Sequence, residues 1–186
     1  MPPKVRIQKE DIINAAVEIV RQQGMEALNA RNVAAALHCS TQPVFSNFAT
    51  MDALRLEVVR RADALCQEFI KRETEEGNYP AYKAAGMAYI RFARDEKQLF
   101  RLLYMRDRSN EHFPEEDPLT ADMEMHVQKG TGLGAKESQL FHLEMWAFVH
   151  GIAAMFATEF LTLDWELVSR MLTDAYQGLI RRFERE

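Results

Sequence analysis

Apolar residues recur every three or four positions along most of the chain, and this spacing is the strongest constraint that the sequence places on its fold. Ile12, Ala16, Ile19 and Val20 form one such face near the start. Near the end the same spacing joins Trp165, Val168, Leu172, Tyr176, Leu179 and Phe183. Residues spaced in this way share one side of an α-helix, whereas strands need alternation. No run alternates long enough to indicate a strand, so the sequence predicts an all-α protein of about nine helices.

Capping residues and glycines indicate where the first four helices begin and end. Gly24 is a natural stop for the first helix, and Asn29 is a natural N-cap for a short alanine-rich second helix. We expect Ser40 to cap the third helix, with Pro43 in its first turn, where a missing N–H costs no helical hydrogen bond. Thr50 is expected to cap a longer fourth helix.

The remaining helices are separated by polar or glycine-rich segments. A polar loop is expected over 107–118, and the glycine cluster at 130–134 is expected to be a flexible connection. Between these breaks the periodicity predicts further helices at about 81–94, 95–106, 119–129, 140–160 and 165–183. The helix at 140–160 is apolar on nearly all sides, which predicts burial against more than one neighbour.

Cysteine usage and hydropathy favour a soluble, cytoplasmic protein. The two cysteines, Cys39 and Cys66, lie far apart without CxxC spacing, which argues against a disulfide scaffold or a zinc module. The first residues contain no apolar signal-peptide core. The most continuously apolar run without charge, 145–158 with histidine counted as neutral, is too short to span a membrane and suits a buried core helix. We therefore expect no membrane partner.

Charge is distributed unevenly along the chain. The net charge of −5 alone disfavours nucleic acid as a partner. Residues 1–61, however, carry eight lysines and arginines against six acidic residues, whereas residues 62–186 carry 15 against 22. Any contact with nucleic acid is therefore expected in the first third of the chain.

Three short helices within the first 50 residues, the last two joined by a tight turn, are typical of a helix-turn-helix domain. The expected inward side chains are Val33, Ala34, Leu37, Val44 and Phe48. The polar first turn of the third helix is then left facing outward. In such modules this part of the helix meets base edges in the major groove. The segment 40–48 therefore predicts a DNA-reading helix, against the simpler interpretation of an ordinary helical corner.

Each exposed side chain of that helix has an expected role. Gln42 is expected to read bases directly, because a carboxamide can pair bidentately with adenine. Thr41 and Pro43 are expected to make apolar contacts with thymine methyl groups. The helix N-terminus is suited to phosphate oxygens, together with the polar residues Ser40, Ser46 and Asn47.

The segment from Glu10 to Leu54, EDIINAAVEIVRQQGMEALNARNVAAALHCSTQPVFSNFATMDAL, resembles the DNA-binding domain of the TetR family of bacterial regulators. The shared features are an apolar first helix, a glycine, a capped second helix, and a third helix ending in aromatic-x-polar-Phe. Further on, WAFVHGIA resembles the Trp-x-x-x-His-Gly signature of the C-terminal domain in one branch of that family. These residues are Trp146, His150 and Gly151. The resemblance covers most of the chain and implies a domain division at 1–50 and 51–186.

Several residues depart from the family pattern. His38 stands where the turn usually has glycine, and histidine tolerates positive φ better than most residues. Phe45 and Asn47 replace a tyrosine and a histidine or tyrosine, and Met51 replaces a lysine that grips a phosphate. Arg31 keeps a common arginine. Since phosphate contacts dominate affinity, Met51 and Phe45 predict weaker DNA binding than in a typical relative, and the missing charge at Met51 predicts less salt-sensitive binding.

An N-terminal arm is expected to supply replacement contacts to the DNA backbone from Lys4, Arg6 and Lys9. Together with the residues that match the family motif, the predicted DNA-binding set is Lys4, Arg6, Asn29, Arg31, Ser40, Thr41, Gln42, Pro43, Phe45, Ser46 and Asn47.

The resemblance implies a homodimer formed by the last two helices and an effector cavity in the second domain. The effector is expected to be a largely apolar or aromatic small molecule, with Tyr104 and His150 as polar anchors. The residues expected to bind it are Phe92, Phe100, Leu103, Tyr104, Met123, Phe141, Met145, Trp146, Val149 and His150. All ten are equally compatible with an ordinary helical core, and that interpretation stays open here.

The resemblance favours a ligand-responsive repressor of a quasi-palindromic operator, and two other classes of function compete with it. One is a helical protein–protein adaptor that keeps the fold without sequence-specific DNA binding. The other is an enzyme, which the sequence does not favour because neither cysteine has a catalytic neighbourhood. Asp122 and His126 have i,i+4 spacing, but one such pair is too few for a metal site. We expect no metal, no cofactor and no catalytic residues.

Overall fold

The computed structural model of the protein describes residues 7–107 and 118–183. Within these ranges it contains α-helices, one short 3-10 helix at Met25–Ala27 and no strand. The α-helices are α1 Lys9–Gln23, α2 Ala30–Ala36, α3 Gln42–Asn47, α4 Met51–Glu75, α5 Ala81–Asp95, α6 Lys97–Tyr104, α7 Pro118–Thr131, α8 Ala135–Ala157 and α9 Trp165–Phe183. The predicted all-α class with nine helices is confirmed for the described part of the chain.

Contacts divide the chain into two compact units. The first consists of Met1–Gln67 with Glu96–Arg106, and the second of Glu68–Asp95 with Asp107–Glu186. Helix α6 thus belongs to the first unit, and α4 contributes to both. This division follows packing and not function, so the predicted functional domains, 1–50 and 51–186, stay a prediction.

The first unit is organised around α1. Its fully buried residues include Ile12, Ala16 and Val20, three of the four residues that the spacing placed on one face. Gly24 ends the helix at φ 86°, and its N–H donates to the carbonyl of Val20 at 2.8 Å. Only glycine adopts such a φ without strain, so the predicted stop is confirmed. Thr50 Oγ1 accepts from the N–H of Ala53 at 3.2 Å, as expected for the N-cap of α4.

The second unit is built around α8, which packs against α5, α7 and α9. Phe141, Met145, Val149 and Ile152 form its buried face. Among the described helices, α8 is long and apolar enough to cross a membrane by length and composition, and 39% of its apolar window is buried inside the protein. Helix α8 is longer than the apolar run 145–158 from which it was predicted. Its one buried face is typical of a core helix.

A glycine sets the distance between α5 and α9. A Cβ at Gly86 would lie 3.1 Å from Cδ2 of Leu172 and 3.5 Å from Cγ2 of Val149. Because the first distance is shorter than an ordinary van der Waals contact, Gly86 lets α9 approach α5 closely. Nothing in the sequence around Gly86 had indicated this role.

Candidate functional site

The turn between α2 and α3 is held in place by backbone hydrogen bonds around His38. The N–H of His38 donates to the carbonyl of Ala35 at 3.1 Å, and the N–H of Cys39 donates to that of Ala34 at 2.9 Å. His38 has φ 51°, the left-handed conformation in which glycine is usual. The expectation that histidine takes a positive φ here is confirmed. The turn directs the chain into α3.

Helix α3 begins one residue later than the sequence predicted, and Ser40 does not cap it. Thr41 is the N-cap residue, and its carbonyl accepts from the N–H of Val44 at 3.1 Å and of Phe45 at 3.3 Å. The Thr41 hydroxyl accepts no capping hydrogen bond. Pro43 lacks an N–H and so removes one of the two donors, at the second and third helical positions, that a side-chain cap at Ser40 or Thr41 could bind. The role assigned to Ser40 as N-cap is therefore wrong, although the residue is exposed.

Two faces of α3 differ sharply in burial. Val44 is fully buried, and Phe48 directly after the helix is 4% exposed. On the other face Gln42 and Ser46 are exposed, and Phe45 is 53% exposed. Helix α3 packs against α2, so the exposed side chains are held at a defined surface. Pro43 and Thr41, at the start of the helix, are half-buried.

Asn47 uses part of its side chain within the helix. Its Nδ2 donates to the carbonyl of Pro43 at 2.8 Å. This hydrogen bond fixes the rotamer of the amide and satisfies a carbonyl near the start of α3. The Asn47 side chain remains exposed at the end of the helix.

The beginning of α2 adds a cation to the same part of the first unit. Asn29 Oδ1 accepts from the N–H of Arg31 at 3.1 Å and of Asn32 at 3.0 Å, so the predicted N-cap is confirmed. The guanidinium of Arg31 is exposed, and among the described residues it has no ion-pair or hydrogen-bond partner. An exposed arginine without an internal partner is suited to a phosphate.

Lys9 is occupied by partners within the protein. Its Nζ lies 3.1 Å from Oε1 of Glu57 and 5.3 Å from the ring centroid of Phe48. The hydrogen bond from Lys9 holds the pKa of the Glu57 carboxyl below its usual value, opposed in part by desolvation. Lys9 thus connects α1 to the residue that ends α3 and to α4. Lys4 and Arg6, the other predicted arm residues, lie outside the described residues.

The residues predicted to bind an effector fall into both compact units. Phe100, Leu103 and Tyr104 lie on α6 in the first unit; the first two are buried, and the Tyr104 hydroxyl lies 3.5 Å from Sγ of Cys66. Phe100 and Tyr104 pack with ring centroids 5.0 Å apart. In this unit the three residues contribute to a packed core.

In the second unit, most of the predicted effector residues are also buried. The buried ones are Phe92, Met123, Phe141, Met145 and Val149. Phe141 and Met145 form one core cluster with Val127. A surface depression of about 540 Å³ does occur, but in the first unit between α1 and α2. None of the ten predicted effector residues, all of which the structure describes, lines that depression.

Trp146 and His150 form an aromatic pair at the surface of α8. Their rings stack with centroids 5.0 Å apart and planes 23° apart. Trp146 is 42% exposed, and the His150 ring is half-buried. The Tyr89 hydroxyl lies 2.9 Å from Nδ1 of His150. Burial lowers the pKa of His150, which favours the neutral imidazole.

A second tyrosine–histidine pair repeats this arrangement two turns away. The Tyr82 hydroxyl lies 3.0 Å from Nδ1 of His142. Burial raises the pKa of Tyr82, so its hydroxyl stays protonated. The tyrosines are separated by seven residues on α5 and the histidines by eight on α8, so the two helices run parallel. Neither tyrosine was predicted as a site residue, although these spacings place each pair on one helical face.

Metal ligands are sparse in the described part of the chain. Among residues 7–107 and 118–183, no group of three histidine, cysteine, aspartate or glutamate side chains is placed to hold an ion. His126 Nε2 lies 3.7 Å from Oδ2 of Asp122, as an i,i+4 pair. This contact is an ordinary helical side-chain pair.

Comparison with known proteins identifies the family. A family model described as the tetracyclin repressor-like C-terminal domain matches residues 82–176, about half of the chain. The protein therefore belongs to the TetR-like family of transcriptional regulators. No curated protein sequence matches the chain significantly.

Solved structures share the fold at low sequence identity. A TetR-like transcriptional regulator from Rhodococcus sp. RHA1 is 15% identical with a TM-score of 0.67, and the match covers 96% of this chain and 98% of that one. A protein of unknown function from the same organism is 20% identical with a TM-score of 0.72, covering 97% and 98%. The multidrug binding protein EbrR complexed with malachite green is 21% identical with a TM-score of 0.59, covering 93% and 98%. These likenesses establish the all-helical TetR-like fold.

Proposed function

We propose that the protein is a homodimeric, ligand-responsive transcriptional repressor that binds a quasi-palindromic operator through α3. The observation that carries this proposal is the contrast between the two faces of α3, with Val44 and Phe48 buried and Gln42, Phe45 and Ser46 exposed. A six-residue helix cannot be stable alone, so its exposed face is presented by the packing of its other face. That is how a helix-turn-helix domain offers a reading surface to the major groove.

Different exposed side chains are proposed to contact the bases and the backbone of the DNA. Gln42 is proposed to read a base edge, with Thr41 and Pro43 against thymine methyl groups. Arg31 is proposed to bind a phosphate, because its guanidinium has no internal partner among the described residues. The remaining proposed contacts, largely to the backbone, come from Lys4, Arg6, Asn29, Ser40, Phe45, Ser46 and Asn47.

Selection from a library of randomised duplexes tests this proposal. We expect enrichment of a two-fold symmetric sequence with half-sites about one helical turn apart. Gln42→Ala should weaken binding to the selected sequence and relax the preference at one position in each half-site, by about 1–3 kcal/mol. Gln128→Ala, an exposed glutamine on α7, is the matched control. Absence of any enriched sequence at low salt would contradict the proposal.

Dimerisation through α8 and α9 is supported by exposed apolar side chains and two helical glycines. Leu143 is 58% exposed and Leu140 is 41% exposed on α8. A Cβ at Gly151 or Gly178 would have nothing within 4 Å, so neither glycine is needed for packing within one chain. Glycine costs about 1 kcal/mol relative to alanine inside a helix. Close approach of a second copy would explain why both positions carry glycine.

The oligomeric state tests this interface directly. Light scattering coupled to size exclusion should give a dimer at micromolar concentration. Gly151→Leu should produce monomers, because the added side chain would occupy space reserved for the partner. Gly132 is not a suitable control, because its positive φ would make leucine strain the backbone there. Gln128→Leu, at an exposed position of α7, serves as the control. A wild-type monomer would contradict the homodimer.

The proposed effector is a largely apolar or aromatic small molecule bound by the second domain. Its binding would shift the dimer toward a spacing of the two α3 helices that no longer fits the operator. Support comes from the aromatic side chains of this domain and from the likeness of its fold to EbrR, a multidrug binding protein complexed with malachite green. Because Phe92, Phe141 and Met145 are buried in the described structure, binding requires side-chain rearrangement. Thermal shift with malachite green as the first probe tests this, with Trp146→Ala expected to reduce the shift.

One observation favours the second candidate, a helical protein–protein adaptor. Phe45 is 53% exposed on the outer face of α3, and an exposed phenylalanine suits an apolar partner better than a phosphate. Met51 and the occupied Lys9 also reduce the cationic surface near α3. Failure of DNA selection together with a folded dimer would favour the adaptor.

A further inference from the structure

Helix α5 contacts two other helices of the second unit through the same arginine. A guanidinium nitrogen of Arg91 forms an ion pair with Oε2 of Glu73, in the last turn of α4. The side chains of Arg91 and Glu73 are only 28% and 14% exposed. The guanidinium carbon of Arg91 also lies 5.0 Å from the ring centroid of Trp165, the first residue of α9. A cation at this distance is attracted to the ring face.

Arg94 contacts the same ring, but among the described residues its direct ion pair is with Asp95 and not with α4. Its guanidinium carbon lies 5.1 Å from the ring centroid of Trp165. Its Nε and Nη2 donate to the two carboxylate oxygens of Asp95 at 2.7 and 3.0 Å. Both partners of this bidentate pair lie on α5. Arg94 therefore supplies a comparison within the structure: it has the same side chain and the same aromatic contact as Arg91, and it interacts with Glu73 through charge at longer range but forms no ion pair or hydrogen bond with it among the described residues.

The elements joined by Arg91 are individually well fixed. Asp164 Oδ1 caps α9, accepting from the N–H of Glu166 at 2.8 Å and of Leu167 at 3.2 Å. On α4, Phe69 packs edge-on against Phe92 of α5 with ring centroids 5.7 Å apart. Fixed elements transmit a displacement, whereas loose side chains absorb it.

We propose that Arg91 is a positioning residue that couples the last turn of α4 to the first turn of α9 through Glu73 and Trp165. The coupling deepens the proposed function, on which it rests, because α4 follows the reading helix α3 directly in the chain and α9 is a proposed dimer helix. The position of α4 and the dimer geometry are thereby made to depend on each other. Such a dependence is reciprocal, so operator binding and dimer contacts affect each other equally.

The two tryptophans of the chain allow a direct test by fluorine NMR. The full-length protein labelled with 5-fluorotryptophan should give two resonances, assigned with Trp146→Phe. Glu73→Gln should shift the Trp165 resonance by more than its linewidth and leave that of Trp146 in place. Glu75→Gln is the matched control, since Glu75 lies on the same helix and pairs with the exposed Lys71 at 3.9 Å.

Substitution of the arginines separates the relay from a local effect. In an Arg91→Gln background, Glu73→Gln should cause no further shift of the Trp165 resonance. In an Arg91→Lys background, Glu73→Gln should cause part of the shift that it causes in the wild type. In an Arg94→Gln background, the effect of Glu73→Gln should persist. If Glu73→Gln moves the Trp165 resonance no more than Glu75→Gln does, the coupling is refuted. This comparison uses only the Glu73→Gln and Glu75→Gln variants, so it remains decisive even if an Arg91 variant does not fold.

Operator binding provides a second, separate measurement. Addition of the selected operator should shift the Trp165 resonance in the wild type but not in Arg91→Gln. Arg91→Gln should also lower operator affinity by about fivefold or more, the lower end of typical allosteric coupling. If no operator exists but Glu73→Gln still moves the Trp165 resonance, the proposed repressor fails and the coupling stands. If the operator binds but Trp165 responds equally in Arg91→Gln, the coupling is refuted and the repressor stands.

Discussion

The Tyr89 hydroxyl lies 2.9 Å from Nδ1 of His150, and the same imidazole stacks on Trp146. Burial lowers the pKa of His150, so the folded protein holds this ring neutral at a pH where a solvated histidine begins to take up a proton. Tyr89 is 7% exposed, which gives its hydroxyl few partners outside the protein. One residue of the family signature thus has a packing role that depends on its protonation state.

The stability of the protein should fall as the pH drops below about 6.5, the ordinary pKa of histidine. The folded pKa of His150 is lower than the unfolded one, so the unfolded chain binds the proton first. The loss begins near the unfolded pKa and levels off below the folded pKa. Urea unfolding at a series of pH values measures it, and His150→Gln should flatten the slope.

His126→Gln is the control for that experiment. His126 lies on α7 beside Asp122, so its removal should leave the His150-dependent part of the slope in place. An unchanged slope in His150→Gln would show that the neutral imidazole of His150 does not contribute to the pH dependence.

The two cysteines should differ strongly in reactivity. Cys66 is 1% exposed, and burial raises the pKa of its thiol to about 11. Only about one molecule in a thousand would then carry the thiolate at pH 8, where an unperturbed cysteine is substantially ionised. Cys39 is half-buried. Reaction with a chromogenic disulfide should modify Cys39 first, and Cys39→Ser should react only on unfolding. A fast second thiol in Cys39→Ser would contradict the burial of Cys66.

The two described residues with positive φ other than glycine should both be improved by glycine. His38 has φ 51° after α2, and Glu159 has φ 57° after α8. After α8 the N–H of Phe160 donates to the carbonyl of Met155 at 3.1 Å, the same six-to-one pattern that closes α2. His38→Gly and Glu159→Gly should each raise the free energy of unfolding by about 0.5–1 kcal/mol, since the left-handed conformation costs side-chain-bearing residues about 1–2 kcal/mol.

Alanine at the same positions provides the comparison, because it keeps the Cβ. His38→Ala and Glu159→Ala should give no such gain in chemical denaturation. If glycine and alanine act alike at either position, the backbone strain assigned to that residue is absent.

These two turns illustrate what the sequence could predict. His38 was expected to take a positive φ because the motif around it places a glycine at that position. Glu159 carried no such signal, since glutamate has no preference for the left-handed region and the turn is imposed by hydrogen bonds to Phe156 and Met155. Local structure can be predicted where a residue type has a strong preference, and it cannot where tertiary context overrides that preference.

The start of α3 shows a second limit of prediction from sequence. A serine before a helical pattern favours an N-cap, and Ser40 fitted that rule. The rule failed at this helix, because α3 begins at Gln42 with Thr41 as its N-cap residue, and Pro43 removes one of the N–H groups that a side-chain cap could bind. The apolar spacing of α1 and the caps at Asn29 and Thr50 were predictable because each depends on a few neighbouring residues.

The effector residues were harder to predict for a different reason. Aromatic and methionine side chains at helical spacing fit a core and a cavity equally well, because both require an apolar surface. The sequence could not show which of them meet each other across helices. The pairing of Tyr89 with His150 was overlooked for the same reason, although both residues lie on strongly helical segments.

Two cations of the first unit, Arg31 and Lys9, should affect DNA binding differently. If the protein binds an operator, Arg31→Met should lower affinity at each ionic strength and reduce the slope of log affinity against log salt by about one per half-site, as expected for loss of one phosphate contact. Lys9→Met should leave that slope unchanged, because Lys9 is engaged by Glu57 and by the ring of Phe48. Fluorescence anisotropy with the selected operator at several salt concentrations measures both slopes.

Lys9→Met should instead act on the folded protein. Glu57, whose pKa is held below its usual value chiefly by Lys9, contributes stability above its unfolded pKa and loses it as the pH falls through the folded value. Lys9→Met should therefore weaken the pH dependence of unfolding below about pH 4.5, the ordinary pKa of a glutamate carboxyl. The contribution is screened by salt because the pair is exposed. The opposite result would be a smaller slope of log affinity against log salt in Lys9→Met, with the pH dependence of unfolding at acid pH unchanged. That result would assign Lys9 to the DNA backbone and contradict its pairing with Glu57.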